Sequence, residues 1–180
     1  MLDVRGSRSR SALGLHMPLD NLEAEHLGAT LAFLDANIAP LSRFNPAGHV
    51  TASCVAIHSD RPEMLVLWHT KIGRWVQPGG HVEDADTSVA AAALRELCEE
   101  TGATPADVRE FLDIVDVDVH LIPAYGLEAP HYHYDLRFGF VMEAAFEPTE
   151  GAIWKSAAEV VATLDAPTAR LGRKVLNLRG

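Results

Sequence analysis

Residues 88–101, SVAAAALRELCEET, carry three glutamates and an arginine in a stretch with strong helical character. At about 100° per residue, Arg95, Glu96, Glu99 and Glu100 fall within an arc of about 140°. Ala90, Leu94, Leu97, Cys98 and Thr101 take the opposite side. Glu96 and Glu99 are three residues apart, and Glu96 and Glu100 four. Like charges at these spacings weaken a helix by a few tenths of a kcal/mol, roughly 0.2–0.5 per pair. Hard divalent cations offset that repulsion. Mg²⁺ takes oxygen ligands and keeps several waters. Such ions can bridge a pyrophosphate, activate a water and stabilise the leaving phosphate. A solvated acidic face is the plain alternative. The segment before the helix, QPGGHVE at 77–83, favours the metal. Its glycines let the backbone approach a ligand closely, and their carbonyls are further oxygen donors.

A second polar constellation lies downstream. Asp116, Asp118 and His120 alternate along one segment, and His131, His133, Asp135 and Arg137 along another, so each set shares one strand face. A hairpin around 121–130 would bring His120 near His131 and Asp118 near His133, with His81 adding another imidazole. Two readings stand. The face is a phosphate- or ribose-binding wall, or a site for an extra ion such as Zn²⁺. Alternatively its residues simply pair across strands. Trp68, Trp75, Tyr125, Tyr132, Tyr134 and Trp154 could stack on a base, though core packing is the commoner role. His69, Lys71 and Arg74 are candidate phosphate contacts or solvated loop charges.

The elements that must position these groups follow from periodicity and breakers. Residues 18–38 read as a helix, with Leu22, Leu27, Leu31, Leu34 and Ile38 at helical spacings and Pro40 and Asn45-Pro46-Ala47-Gly48 beyond. Residues 50–58 and 63–70 read as strands of one hairpin. Trp75-Val76-Gln77 is a short extended piece before Pro78-Gly79-Gly80. Asp86, Thr87 or Ser88 can cap the helix at 88–101, and Gly102 ends it. Residues 111–123 and 131–146 alternate as strands, joined by a loop. A helix over 156–163 follows, and the tail from Pro167 is compatible with one more. Residues 1–16 read as a poorly ordered tail, leaving one domain over 17–180. Strands mixed with helices predict an α/β class with a mixed sheet covered on both faces.

Composition narrows the classes. A chain of 180 residues with 48% apolar and 22% charged residues has enough for a core and little reason for disorder. A formal charge of −10 disfavours tight nucleic acid binding, yet is compatible with phosphate chemistry if cations supply the positive charge. No apolar run approaches the ~18 residues of a spanning helix, so no membrane partner is expected. Cys54 and Cys98 lack metal-type spacing and read as small buried hydrophobes of a protein in a reducing, cytoplasmic setting.

Residues 79–103, GGHVEDADTSVAAAALRELCEETGA, resemble the Nudix box of the Nudix hydrolase superfamily, G-x5-E-x7-R-E-U-x-E-E-x-G-U with U bulky and apolar. Gly80 matches its first glycine. Arg95, Glu96, Leu97, Glu99, Glu100 and Gly102 match its core without gaps. There are departures. Asp86 stands at the first glutamate position, eight residues rather than seven separate it from Arg95, and Ala103 takes the last apolar position. The H-x-H-x-D-x-R strand resembles a bacterial subgroup with QPGGHVE-type boxes. The resemblance implies an α/β/α sandwich and a Mg²⁺- or Mn²⁺-dependent hydrolase that cleaves a phosphoanhydride bond in a nucleoside diphosphate linked to another moiety. By position it implies Glu96, Glu99 and Glu100 as metal ligands with the Gly79 carbonyl, and Arg95 as the group that holds a glutamate in place. Glu150 is a candidate further acid. The expected partner is a small nucleotide-type substrate, and a homodimer is compatible. A non-catalytic nucleotide-sensing module is the alternative, but sensors are free to lose glutamates that this chain keeps. An isoprenoid diphosphate isomerase needs a cysteine in a polar motif that Cys54 does not provide.

Overall fold

The computed structural model describes residues 4–124, 126 and 129–179. Its centre is a mixed sheet. Strand β1 (Gly48–His58) is flanked by β6 (His131–Met142), and β6 by β5 (Val108–Ile122). On its other side β1 pairs with β2 (Glu63–His69) near its end and with β4 (Gly79–His81) near its start. Strands β3 (Arg74–Val76) and β7 (Ala152–Ser156) both pair with β2. The β1–β6 pair is parallel and the others antiparallel. β1 is buried along its whole length, as a central strand with helices on both faces must be.

The two faces of β1 have different neighbours. Val50, Ala52, Cys54 and Ala56 pack against α2 (Asn21–Ala36) through Phe33 and Leu34, and against α3 (Val89–Thr101) through Val89, Ala92, Ala93 and Leu97. Val55 and Ile57 face α4 (Ala157–Thr163) and α5 (Ala166–Arg179) through Ala157, Val160, Leu171 and Val175. This is an α/β/α sandwich, as the sequence predicts.

Local chemistry sets the helix ends. Asp20 accepts the Glu23 N–H at 2.9 Å to open α2, and Ser88 accepts the Ala91 N–H at 3.0 Å to open α3. Gly102 closes α3 at φ 75°, a conformation that favours glycine.

Three expectations are corrected. Residues 4–13, read as part of a poorly ordered tail, form α1 (Val4–Leu13). Leu13 is fully buried in the α2/α3 core, and the Arg5 guanidinium donates to the carbonyls of Glu83 and Asp86 at 2.8 and 3.1 Å. The strand expected over 131–146 ends at Met142, where the chain turns and the Phe146 N–H bonds the Glu143 carbonyl. The β5–β6 register differs by two residues from the expected one. His120 lies opposite His133, Asp118 opposite Asp135, and Asp116 opposite Arg137. The strand β7 was not anticipated. Tyr125, named as an aromatic candidate, lies outside the described residues.

Candidate active site

The short strand β4 and helix α3 meet through Arg95. Its Nε and Nη2 donate to the two oxygens of Asp86 at 3.2 and 3.1 Å. Its Nη1 donates to Glu96 at 2.9 Å and to Glu99 at 3.0 Å, and Nη2 also reaches the His81 carbonyl at 2.9 Å. Every N–H of the guanidinium fork therefore has an acceptor, and two box carboxylates share one nitrogen. Hydrogen bonds donated to Asp86, and then to Glu96, raise the Arg95 pKa against the opposing effect of burial. Asp86, whose position departs from the box pattern, is thus built in as the seat of Arg95, and it also accepts the Glu83 N–H at 2.8 Å.

The Gly79-Gly80 pair is the other wall. The Gly79 N–H donates to Glu100 at 2.9 Å. A Cβ on Gly80 would sit 2.4 Å from Glu96 Oε1, so only glycine leaves room for that carboxylate. A Cβ on Gly79 would sit 2.7 Å from the Ser53 Cα, which holds β4 tight against β1. The glycines let α3 lay its acidic edge directly on the turn.

Electrostatically the cluster carries surplus negative charge. Burial raises the Glu96 pKa, Arg95 opposes that, and Glu99 and Glu83 add to it. Glu100 is raised by burial, opposed by the Gly79 N–H and reinforced by Glu96 and Glu99. Crowded carboxylates that resist ionisation in isolation suit a hard divalent cation.

Residues 48–169 match the sequence profile of the NUDIX domain. The chain belongs to the Nudix hydrolases. It is 34% identical over 123 residues to the protein named Phosphatase NudJ of Escherichia coli, a match spanning 63% of this chain and 71% of that one. In three dimensions it resembles the E. coli dihydroneopterin triphosphate pyrophosphohydrolase, with a TM-score of 0.59 at 18% identity over 71% of this chain and 95% of that one. It also resembles the Caenorhabditis elegans Ap4A hydrolase, with a TM-score of 0.55 at 18% identity over 73% and 98%. At such identities the two structures speak to the fold alone.

Within this Nudix domain the remaining candidates divide. Glu150 is exposed in the loop whose Thr149 N–H donates to the Thr101 carbonyl at 2.9 Å, so it lies at the Glu99–Glu100 end of α3. Glu83, the acidic residue of the QPGGHVE segment, repels the Glu96 carboxylate and helps push its pKa up. His81 belongs to both regions. Its carbonyl binds Arg95, while its ring lies on the opposite face of the sheet, 5.0 Å from His49 and 5.5 Å from His133 between centroids. His120 and His131 join the same group.

Asp135 and Arg137 do not line that surface. They are 2% and 3% exposed. The Arg137 guanidinium donates to Asp135 at 2.9 Å and to Asp116 at 3.0 Å, and lies 3.3 Å from Asp118. Asp135 also accepts from Thr51 at 3.0 Å and Ser53 at 2.9 Å. With these groups fully occupied inside the protein, the expectation that they contact substrate is corrected: they hold the sheet beneath the histidines. The sequence reading missed His49, the most buried member of the histidine group. Its signal was weak, a single histidine at the head of an apolar run.

Proposed function

We propose that this Nudix hydrolase cleaves a phosphoanhydride bond in a nucleoside diphosphate linked to another moiety, with Mg²⁺ or Mn²⁺ held by Glu96, Glu99, Glu100 and the Gly79 carbonyl. The observation that carries the reading is the sharing of Arg95 Nη1 by Glu96 and Glu99 while Glu100 is anchored on the Gly79 N–H. Three acidic side chains are thereby gathered at one glycine turn, two of them on one guanidinium nitrogen. When bound, the divalent ion would polarise the diphosphate and lower the pKa of the attacking water. Arg95 keeps Glu96 and Glu99 from splaying apart.

The 34% identical relative, named a phosphatase, supports a phosphate ester or anhydride as the reacting group. Candidate substrates are nucleoside diphosphate sugars, ADP-ribose, dinucleoside polyphosphates and nucleoside triphosphates. Selectivity among them is assigned to the loop at 121–130. The test is a panel of these compounds with Mg²⁺ or Mn²⁺, scored by phosphate released after phosphatase coupling. For any accepted substrate, Glu99→Gln and Glu100→Gln should each lower turnover at least about tenfold, equal to about 1.4 kcal/mol. Near-wild-type rates in both variants, or full activity after exhaustive chelation, would overturn the reading.

A further inference from the structure

We propose that His49, His131 and His133 form a second metal site, which takes a zinc-type divalent ion through imidazole nitrogens. The site is independent of the hydrolase reading, because its ligands, face and metal preference all differ.

The strands bring these residues together by register. His49 on β1 lies beside His133 on β6, and His131 sits two residues earlier on the same face of β6. One ring nitrogen from each of the three lies within 4.8 Å of the other two. The Nε2 atoms of His131 and His133 face one another at 3.3 Å. Two imidazoles on a tetrahedral zinc with bonds of 2.0–2.1 Å have nitrogens about 3.3 Å apart, so this pair already has the spacing of adjacent ligands.

The surroundings supply what such ligands need. His131 Nδ1 lies 3.0 Å from the Ala129 carbonyl, which can only accept. That contact places the proton on Nδ1 and leaves the Nε2 lone pair for a metal. His120 Nδ1 is likewise held by Asp118 at 3.0 Å, and its ring lies 5.5 Å from that of His133. A carboxylate–imidazole pair thus stands beside His133.

His49 supplies a second observation that points to a ligand. It is 1% exposed, and neither ring nitrogen has a hydrogen-bond partner. Buried polar groups are nearly always satisfied, and a stacked structural histidine would still bond at least one nitrogen. The rings of His81, His131 and His133 lie 5.0, 5.2 and 4.6 Å from it between centroids. A nitrogen-rich pocket without an acidic ligand suits zinc, cobalt, nickel or copper and is poor for Mg²⁺.

The experiment uses the full chain, stripped of metal by chelation and dialysis, with Co²⁺ as the probe. With excess Mg²⁺ present to fill the acidic cluster, the wild type should bind one equivalent with visible ligand-field absorption of a low-coordinate nitrogen site. Zn²⁺ should displace it and excess Mg²⁺ should not. Histidine ring resonances should shift with Zn²⁺ in the unmodified protein, which requires no variant to fold. His131 opens β6 and is only half-buried, so His131→Ala is the mild substitution; it should weaken Co²⁺ binding at least about tenfold. Absence of ring shifts, or undiminished binding in His131→Ala, would each overturn the site and leave the hydrolase reading standing.

Discussion

The sheet separates two charged regions that solve opposite problems. On the α3 side, Asp86, Glu96 and Glu99 gather around the guanidinium of Arg95, with Glu100 beside them on the Gly79 N–H. On the α5 side, Asp116, Asp118 and Asp135 are matched by Arg137 and Arg170, and Lys174 bridges Glu23 and Asp116 at 2.5 and 3.1 Å. The first region is partly exposed, with Glu99 58% open to solvent. The second is sealed, with Arg137 and Arg170 at 3% and 1%. Charge that is buried and balanced holds a fold. Charge gathered at an accessible turn and left unbalanced calls for a cation. The same residue types therefore mean structure on one face and chemistry on the other.

The sharpest way to break this contrast is Arg137→Ala. It leaves Asp116, Asp118 and Asp135 buried with reduced compensation, and stability should fall by about 3–5 kcal/mol in denaturant unfolding. A loss under 1 kcal/mol would mean that the network is not the strut described here.

Next in size is an acid transition. Burial pushes the Glu23 carboxyl up, but hydrogen bonds from His16, the Leu19 N–H and Lys174 outweigh it and bring the pKa down to about 2, from 4.5. A depressed folded pKa contributes stability above the unfolded value, and that contribution is lost as pH falls through the folded value. Glu23 should therefore contribute up to about 3 kcal/mol at neutral pH, lost between about pH 4.5 and 2. Thermal unfolding followed over that range should show a steep decline that flattens in Glu23→Gln. Parallel curves for the two proteins would contradict the assignment.

The smallest effect on stability should come from Gly80→Ala, which should nonetheless lower turnover at least about tenfold by displacing Glu96. Its Cβ meets the far end of a side chain rather than backbone, so the fold can absorb it. Wild-type turnover in Gly80→Ala would detach the glycine turn from the acid cluster.

How much of this was legible follows from which interactions are local. The α3 helix was readable because a 3.6-residue period, a capping serine and a terminal glycine all lie within fifteen residues of one another. The two alternating strands were readable by the same logic, since side-chain alternation is a property of one strand. Their register was not, because it depends on how 123–130 turns and on the pairing of Asp116 with Arg170 from a distant helix. α1 was illegible for a similar reason. VRGSRSRSAL has little apolar pattern, and its anchors include Leu13 in a core, Arg5 on loop carbonyls and Arg10 on Asp35 of α2. Asp135 and Arg137 looked available because a polar strand face reads as exposed. Only α5, arriving with Arg170, shows that this part of the face is closed.

The most direct test of the central claim is Mn²⁺ binding to the metal-stripped chain, followed by electron paramagnetic resonance in wild type, Glu96→Gln and Glu99→Gln, with Zn²⁺ present to fill any imidazole site. The account predicts Mn²⁺ uptake in the wild type and affinity at least about tenfold weaker in each variant. Equal Mn²⁺ affinity in all three proteins would contradict it.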